Sequence, residues 1–455
     1  MHVFDLLIIG GGPGGYLAAE RAAAGGLKTA LFEARALGGV CLNEGCVPSK
    51  TFLNSAKYYD HAQNGAAYGV TASNVTLDHA KVVERKNQVV KMLVSGVSAK
   101  MKGHKVTVVQ AYAQITGQTP GGFTVTAGDD IYCAKKLMIA TGSNPLIPPI
   151  PGVEKGIESG FVLTNREILD ITALPKELVV IGGGVIGLEM AAYFRTAGSQ
   201  VTVIETLDKI AGQTDTEISA LLRKELEKKG VIFHLGAMVT EISTGEISYK
   251  KDGKTNKISA EKVLLSTGRQ PKITGFGLES IGVYVEKGAI VTDELMRTNI
   301  PGVYAVGDVN GKYMLAHTAY REAEVAVNHM LGKRDYMRYT AISSIIYTSP
   351  EVASVGETEE TAKARGLDVE VVRISMLYSG RYVAEVSGEE GICKLIVERT
   401  GRKLLGVHLL SPYASEIIYG AALMLEMHLS IDEIKELIFP HPTVGEVIRE
   451  GLFLA

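Results

Sequence analysis

The chain has 455 residues, with 47 Lys+Arg against 50 Asp+Glu and a formal net charge of -3, which excludes a bulk electrostatic preference for nucleic acid or an anionic membrane surface. Hydrophobic residues make up 46% and charged residues 21%, the balance of a globular protein of about three domains with ample core. The longest apolar runs, such as ALMLEM, are far too short for a membrane span, and four cysteines are too few for a disulfide scaffold.

In chain order, the opening MHVFDLLIIGGG lacks the basic and small-residue signals of export or organelle import, so a cytoplasmic chain is expected. DLLIIGGGPGGYLAAERAAAGGLKTALFE (5–33) predicts a buried parallel strand, a glycine turn, a helix, and a second strand ending in an acid. Gly10, Gly12 and Gly15 there form GxGxxG. The first glycine permits a tight turn, the second lets backbone meet a pyrophosphate, and the third lets helix pack closely on strand. Glu33 is placed to accept hydrogen bonds from a ribose diol.

Cys41 and Cys46 frame CLNEGC. In one continuous helix residues five apart are separated by about 7.5 Å, more than the roughly 4.4–6.8 Å between Cα atoms that a disulfide accepts. A bond would need Cys41 ahead of the helix and Cys46 in its first turn; two unpaired thiols are equally compatible with the spacing. A helix start favours the Cys46 thiolate, and the neighbouring Glu44 opposes it. GCVPSKTFLNSAKYYDHA (45–62) and HAKVVERKNQVVKMLVSGVSAKM (79–101) predict helices. KKLMIATGSNPLIPPIPG (135–152) is a strand running into a Pro-rich connector, a candidate domain boundary.

ELVVIGGGVIGLEMAAYFRTAGSQVTVIE (177–205) aligns without gaps on 5–33 at an offset of 172 residues, repeating the glycines at Gly182, Gly184 and Gly187 and the acid at Glu205. One chain thus carries two β–α–β nucleotide sites. A carboxylate at Glu205 accepts from a 2′-hydroxyl and repels a 2′-phosphate, which favours NAD over NADP. VLLSTGRQP (263–271) repeats the flavour of LMIATGSNP, NIPGVYAVGDV (299–309) predicts a buried strand ending in Gly-Asp, and MLAHTAYREAEVAVNHML (314–331) predicts a helix. From about 340 the strands ASVGE, GICKLIVE and LLGVHLL and the helix ASEIIYGAALMLEM indicate a further domain. Cys133 and Cys393 sit among apolar strand residues and read as core.

GGGPGG, LGGVCLNEGCVPSK, ATGSNP, GGGVIGLE, STGRQP, GVYAVGDVNGKYMLAHTA, YTSPEVASVG and HPTVGE, in that order over the whole chain, resemble the FAD-dependent pyridine nucleotide-disulfide oxidoreductases. The chain departs from that family's usual GGTCLNVGC at Val40 and Glu44, and from its HPTLSE at Val444 and Gly445. The resemblance implies an α/β fold of two Rossmann-like dinucleotide-binding domains plus a C-terminal α+β dimerisation domain. It divides the chain into 1–148 (FAD, first part), 149–270 (NAD), 271–338 (FAD, second part) and 339–455 (interface). It implies FAD on Gly10, Gly12, Gly15, Glu33 and Asp308, NAD on Gly182, Gly184, Gly187 and Glu205, further cofactor contacts from Thr141, Gly142, Ala316 and Gly268, and no metal.

The same resemblance makes Cys41–Cys46 a redox-active disulfide, places Lys50 by the flavin in a pair with Glu189, and makes His441 a base oriented by Glu446. That base would come from the other subunit of a homodimer. The motifs are most similar to those of members that reoxidise dihydrolipoyl groups with NAD⁺, so the implied partners are lipoyl domains of 2-oxoacid or acetoin dehydrogenase complexes or the glycine cleavage H protein. The alternatives are a glutathione reductase-like small-disulfide reductase, which Glu205 with no Arg soon after it disfavours, and a flavoprotein subunit without turnover, which has no need of both thiols and the base.

Overall fold

A computed structural model describes residues 1–455, and the chain forms two compact units. Unit 1 is Met1–Thr51, Glu84–Leu146 and Gly268–Arg338; unit 2 is Phe52–Val83, Ile147–Thr267 and Tyr339–Ala455.

The first elements are β1 (His2–Ile9), α1 (Pro13–Ala24), β2 (Thr29–Phe32), a short α2 (Gly39–Asn43), α3 (Cys46–Asn64), α4 (His79–Gly103), β3 (Thr107–Val109), β4 (Ala113–Thr119), β5 (Gly122–Ala127) and β6 (Asp130–Ile139). The sheet of unit 1 runs β3-β2-β1-β6-β5-β4, with the strand Val303–Ala305 also paired to β6. β1, β2, β3, β6 and Val303–Ala305 pair in parallel, whereas β4 and β5 are antiparallel. Leu6, Leu7 and Ile8 in β1 and Leu137, Met138 and Ile139 in β6 are consecutive and fully buried, so both faces of the sheet centre are covered. β5 instead alternates between buried and half-buried residues, as a strand with one face on the core does. α1 packs along the helix Ala316–Met330.

Unit 2 repeats the motif. The strands Ile232–His234, Gln200–Ile204, Glu177–Ile181, Lys262–Leu265 and Val162–Leu163 lie in that order, all parallel, with the helix Val185–Ala197 between the first two strands of the duplicated stretch. Phe52, Ala56, Val82 and Val83 pack in the same core as Leu188, Tyr193 and Phe194. An antiparallel sheet, Met238–Ser243, Glu246–Lys251 and Lys254–Ser259, stands in the chain between the parallel strands Ile232–His234 and Lys262–Leu265, where unit 1 has the antiparallel pair β4 and β5. The C-terminal part is an antiparallel sheet ordered Ser344–Ile346, Glu351–Gly356, Leu404–Ser411, Ile392–Glu398, Val369–Ser375, with Ile418, Leu425, Val447 and Ile448 of the helices Ala414–Glu426 and Glu446–Leu452 buried against Val355, Leu395, Val407 and Leu409. Lys394 is buried in this sheet and reaches Asp215 at 2.8 Å, Glu359 at 2.8 Å and Glu217 at 3.2 Å.

The fold is thus the expected α/β architecture, two Rossmann-like halves followed by an α+β part. Cys133 and Cys393 are buried on strands, and burial pushes the Cys393 thiol up. No helix is long and apolar enough to cross a membrane.

Candidate active site

The two glycine turns are built alike. Gly10 and Gly182 both have φ of +106°, and a Cβ would stand 2.2 Å from Ala140 O or 2.5 Å from Ser266 O, so neither place accepts a side chain. At Gly15 and Gly187 a Cβ would meet the carbonyl of the turn's first glycine at 1.8 and 2.3 Å, which fixes each helix directly on its strand end. The middle glycines face open space. Beside Gly12 the nearest atom is 3.8 Å away, and beside Gly184 none lies within 4 Å. Neither α1 nor Val185–Ala197 has a side-chain cap or an acid in its first turn, which leaves first-turn N–H groups for an anion. These cradles fit dinucleotide pyrophosphates.

Glu33 and Glu205 are aimed by the turns they serve. Glu33 accepts the Gly11 N–H at 2.8 Å and the Arg35 N–H at 2.7 Å; Glu205 accepts those of Gly183 at 2.6 Å and Leu207 at 2.8 Å. Glu205 Oε1 also accepts from the Thr206 hydroxyl at 3.0 Å, whereas both oxygens of Glu33 and Oε2 of Glu205 each keep a lone pair that suits a ribose diol.

Unit 1 gathers most of the other expected cofactor residues. Thr141 and Gly142 follow β6, and the Thr141 hydroxyl donates to Lys272 O at 2.7 Å. Asp308 lies in the turn Gly307–Asn310 after Val303–Ala305, and accepts from the Ser143 hydroxyl at 2.5 Å, which in turn accepts from Arg269 Nε at 2.8 Å. Gly268 precedes Arg269, and Ala316 opens its helix. Buried Glu322 holds that turn, accepting from Gly307 N at 2.6 Å and Asn310 Nδ2 at 2.9 Å. Sequence reasoning missed Ser143, Arg269 and Glu322. Arg269 was visible inside STGRQP, while Ser143 and Glu322 act through partners 165 and 15 residues away.

Cys41 lies inside α2, a short helix the sequence did not announce, and Cys46 begins α3. Ser49 closes the entry, donating from N at 3.0 Å and Oγ at 2.8 Å to Gly45 O. Asn43 Nδ2 ties the loop to Gly39 O at 2.8 Å and Leu37 O at 3.0 Å. Here Cys41 and Cys46 are free thiols rather than a disulfide. A hydrogen bond with Cys46 pushes the Cys41 thiol up, burial adds to this, and Lys50, one turn along α3, opposes it. Cys41 therefore keeps its proton, while Cys46 is exposed at the helix start, where a thiolate is favoured. The hydroxyls of Tyr16 and Tyr320 bond to each other. Burial, and then this partnership, push Tyr16 far up, with smaller contributions from the two thiols.

In unit 2, His441 Nδ1 donates to Glu446 Oε1 at 2.7 Å, and the Thr443 N–H donates to Glu446 Oε2 at 2.7 Å. Burial works against the Glu446 carboxylate, yet Thr443 and His441 hold it below the usual range. With Nδ1 carrying the proton, Nε2 of the neutral ring is a base, and the His441 side chain is 76% exposed. Glu189 is buried on Val185–Ala197 and accepts the Tyr347 N–H at 3.0 Å.

Residues 4–323 match the family model described as Pyridine nucleotide-disulphide oxidoreductase, and residues 342–452 match the dimerisation domain of that name. The chain is 40% identical over 469 residues to the dihydrolipoyl dehydrogenase of Bacillus subtilis (strain 168), covering 99% of this chain and 98% of that one. It is 38% identical over 457 residues to the mitochondrial dihydrolipoyl dehydrogenase of Pisum sativum, covering 98% and 90%. Among solved structures it is similar to the Cu(II) complex of the HOCl-induced flavoprotein disulfide reductase RclA from Escherichia coli, with a TM-score of 0.88, 26% identity and 100% of both chains covered.

Proposed function

Because the chain belongs to the pyridine nucleotide-disulphide oxidoreductase family, we propose that it oxidises dihydrolipoyl groups with FAD as its bound cofactor and NAD⁺ as hydride acceptor. The observation that carries this reading is the thiol of Cys41 in α2 hydrogen-bonded with that of Cys46 at the start of α3, with Lys50 one turn beyond Cys46, in a chain that also holds an oriented His–Glu base.

When bound, FAD would supply the two-electron redox chemistry that links the cysteine pair to NAD⁺. Gly10, Gly12, Gly15, Glu33 and Asp308 would hold it, with Thr141, Gly142 and Ala316 alongside; Gly182, Gly184, Gly187 and Glu205 would hold NAD, and Gly268 belongs to the same cofactor-binding set. A thiol is mostly protonated at pH 7, with a pKa of about 8.5. His441 Nε2 removes a proton from the dihydrolipoyl dithiol, and the thiolate attacks Sγ of Cys41 in the oxidised Cys41–Cys46 pair, releasing Cys46 as a thiolate. The second dihydrolipoyl sulfur then attacks the mixed disulfide, closing the lipoyl ring and returning Cys41 as a thiol. Two electrons leave the substrate and two enter the cysteine pair. Glu446 holds the tautomer and stabilises the imidazolium. Lys50, one turn beyond Cys46 on α3, places positive charge by the thiolate.

The chain forms a homodimer through its dimerisation domain, and in this proposal His441 serves the dithiol of the other subunit. The spans 1–148, 149–270, 271–338 and 339–455 are the FAD, NAD, second FAD and interface parts. The partners are lipoyl domains of 2-oxoacid or acetoin dehydrogenase complexes or the glycine cleavage H protein. A cytoplasmic setting belongs to the same proposal, since four cysteines in 455 residues do not make the disulfide scaffold of an exported protein.

An anaerobic titration tests the reading. NADH is expected to produce a long-wavelength absorbance from a thiolate beside the flavin, and dihydrolipoamide to support turnover with NAD⁺; better turnover with NADPH or glutathione disulfide would reverse the choice. Mixing His441→Ala with Cys41→Ser subunits is expected to recover part of the activity through hybrid dimers. No recovery would place each site within one chain.

A further inference from the structure

Glu44 stands two residues before Cys46, in the segment that links α2 to α3. A carboxylate there repels a thiolate, and at 11% side-chain exposure it is also largely removed from water. The structure answers with Arg35, whose guanidinium meets Glu44 at 2.5 Å. Arg35 is itself held at both ends of its backbone, donating its N–H to Glu33 at 2.7 Å and accepting from Gln110 Nε2 at 2.7 Å. The Gly38 N–H adds a bond to Gly11 O at 2.8 Å. Arg35 therefore spans from the first glycine turn and its acid to the segment that bears both cysteines.

We propose that Arg35 and Glu44 form a charge-compensating clamp that sets how readily the Cys41–Cys46 pair is reduced. The inference rests on the reading of that pair as redox-active. Reduction takes two electrons and one proton and converts the disulfide into the Cys41 thiol and the Cys46 thiolate. The dihydrolipoyl 1,3-dithiol supplies the two electrons and that proton, gives up its second proton to a base, and is oxidised to its cyclic disulfide. Negative charge left uncompensated beside Cys46 disfavours the product, so the equilibrium moves toward the disulfide; positive charge left uncompensated moves it the other way. Arg35 and Glu44 are positioning residues, since they act on the sulfurs only through the field and the fixed loop.

The test equilibrates the flavin-loaded protein anaerobically with mixtures of dihydrolipoamide and lipoamide and reads the reduced fraction of the pair by thiol alkylation. Arg35→Met is expected to lower the equilibrium constant for reduction by on the order of tenfold, the size of one partly screened charge. Arg35→Met with Glu44→Gln is expected to return within about twofold of the parent, because the interaction and not either side chain sets the value. Glu44→Gln alone, which leaves every Arg35 backbone bond in place, is expected to raise the constant and to move the pH profile of Cys46 alkylation to lower pH. The clamp is refuted if Glu44→Gln leaves both constant and profile unchanged, or if the loss in Arg35→Met persists in the double variant. A parent protein whose pair is never reduced by dihydrolipoamide would overturn the functional reading along with the clamp. A parent that is reduced normally while the variants match it overturns the clamp alone.

Discussion

Both carboxylate oxygens of Glu446 are engaged, one by His441 Nδ1 and one by the Thr443 amide, so its charge and its shape act together. A glutamine there presents an NH₂ group to one of these two donors. The imidazole is then released or driven to the other tautomer, with its proton on Nε2 where the base must be bare. Glu446→Gln is expected to lower kcat/KM for dihydrolipoamide on the order of 10²–10⁴-fold, as does His441→Gln. The double variant should be little worse than either, because the two act as one unit. NADH oxidation by an artificial acceptor that bypasses the thiols should stay unchanged; a parallel fall in that activity would mean the substitutions damage the fold instead. At this scale the sequence announced the side chains whose chemistry is intrinsic, such as the cysteines, the histidine and the glycines. It did not announce Glu322 under the Gly307–Asn310 turn or Arg35 against Glu44, because those roles exist only once folding brings the partners together.

The duplicated element makes a sharper prediction than either copy alone. Gly15→Ala drives a methyl onto the Gly10 carbonyl and must displace backbone, whereas Gly12→Ala and Gly184→Ala place one in space that no protein atom fills. Gly15→Ala is expected to yield little folded flavoprotein. Gly12→Ala should fold and bind FAD weakly. Gly184→Ala should keep its flavin and its reduction by dihydrolipoamide while the KM for NAD⁺ rises on the order of 10- to 100-fold, the worth of one charged hydrogen bond disturbed. Equal flavin content in the Gly12 and Gly15 variants, measured by absorbance, would contradict the assignment of the open space to a pyrophosphate. The helices predicted at 45–62 and 79–101 are Cys46–Asn64 and His79–Gly103, legible because their apolar spacing persists for several turns. α2 has five residues, too few to show a period, and the sheet at 238–259 is built of short, polar strands. Nor could local pattern show that Phe52 and Val83 share a core with Tyr193, or that Lys394 finds Asp215 179 residues away.

On the scale of the molecule, buried histidines divide the two units. Tyr193 OH donates to His79 Nδ1 at 2.7 Å, and the ring donates from Nε2 to Ile171 O at 3.0 Å. His408 Nε2 donates to Glu357 O at 2.7 Å, and its buried Nδ1 has no partner. Both rings are neutral, and burial lowers both pKa values below the ordinary 6.5. Around His408, Asp215 and Glu360 favour a charge and Lys394 opposes it, with Ser354 and Lys394 as its cross-strand neighbours. For His79 only Asp78 favours it by charge. A histidine held neutral takes up its proton on unfolding, so the unfolded state binds more protons at pH values between the ordinary and the lowered pKa. Stability from these rings is complete above about pH 6.5 and drains away as the pH falls below it. Those two rings, and His234, which burial also lowers, all lie in unit 2. Mild acid at pH 5–6.5 is therefore expected to speed hydrogen exchange in unit 2, including the Gly182 turn, while β1 and β6 of unit 1 stay protected. The carboxylates held below their usual range, Glu446 and Asp335 among them, keep their contribution until the pH falls further. His408→Gln and His79→Gln should each flatten the pH dependence of the unfolding free energy measured with urea across this window, by up to about 1.4 kcal/mol per pH unit for one proton. A slope unchanged in both variants, or exchange that quickens first in unit 1, would show that acid enters the molecule elsewhere.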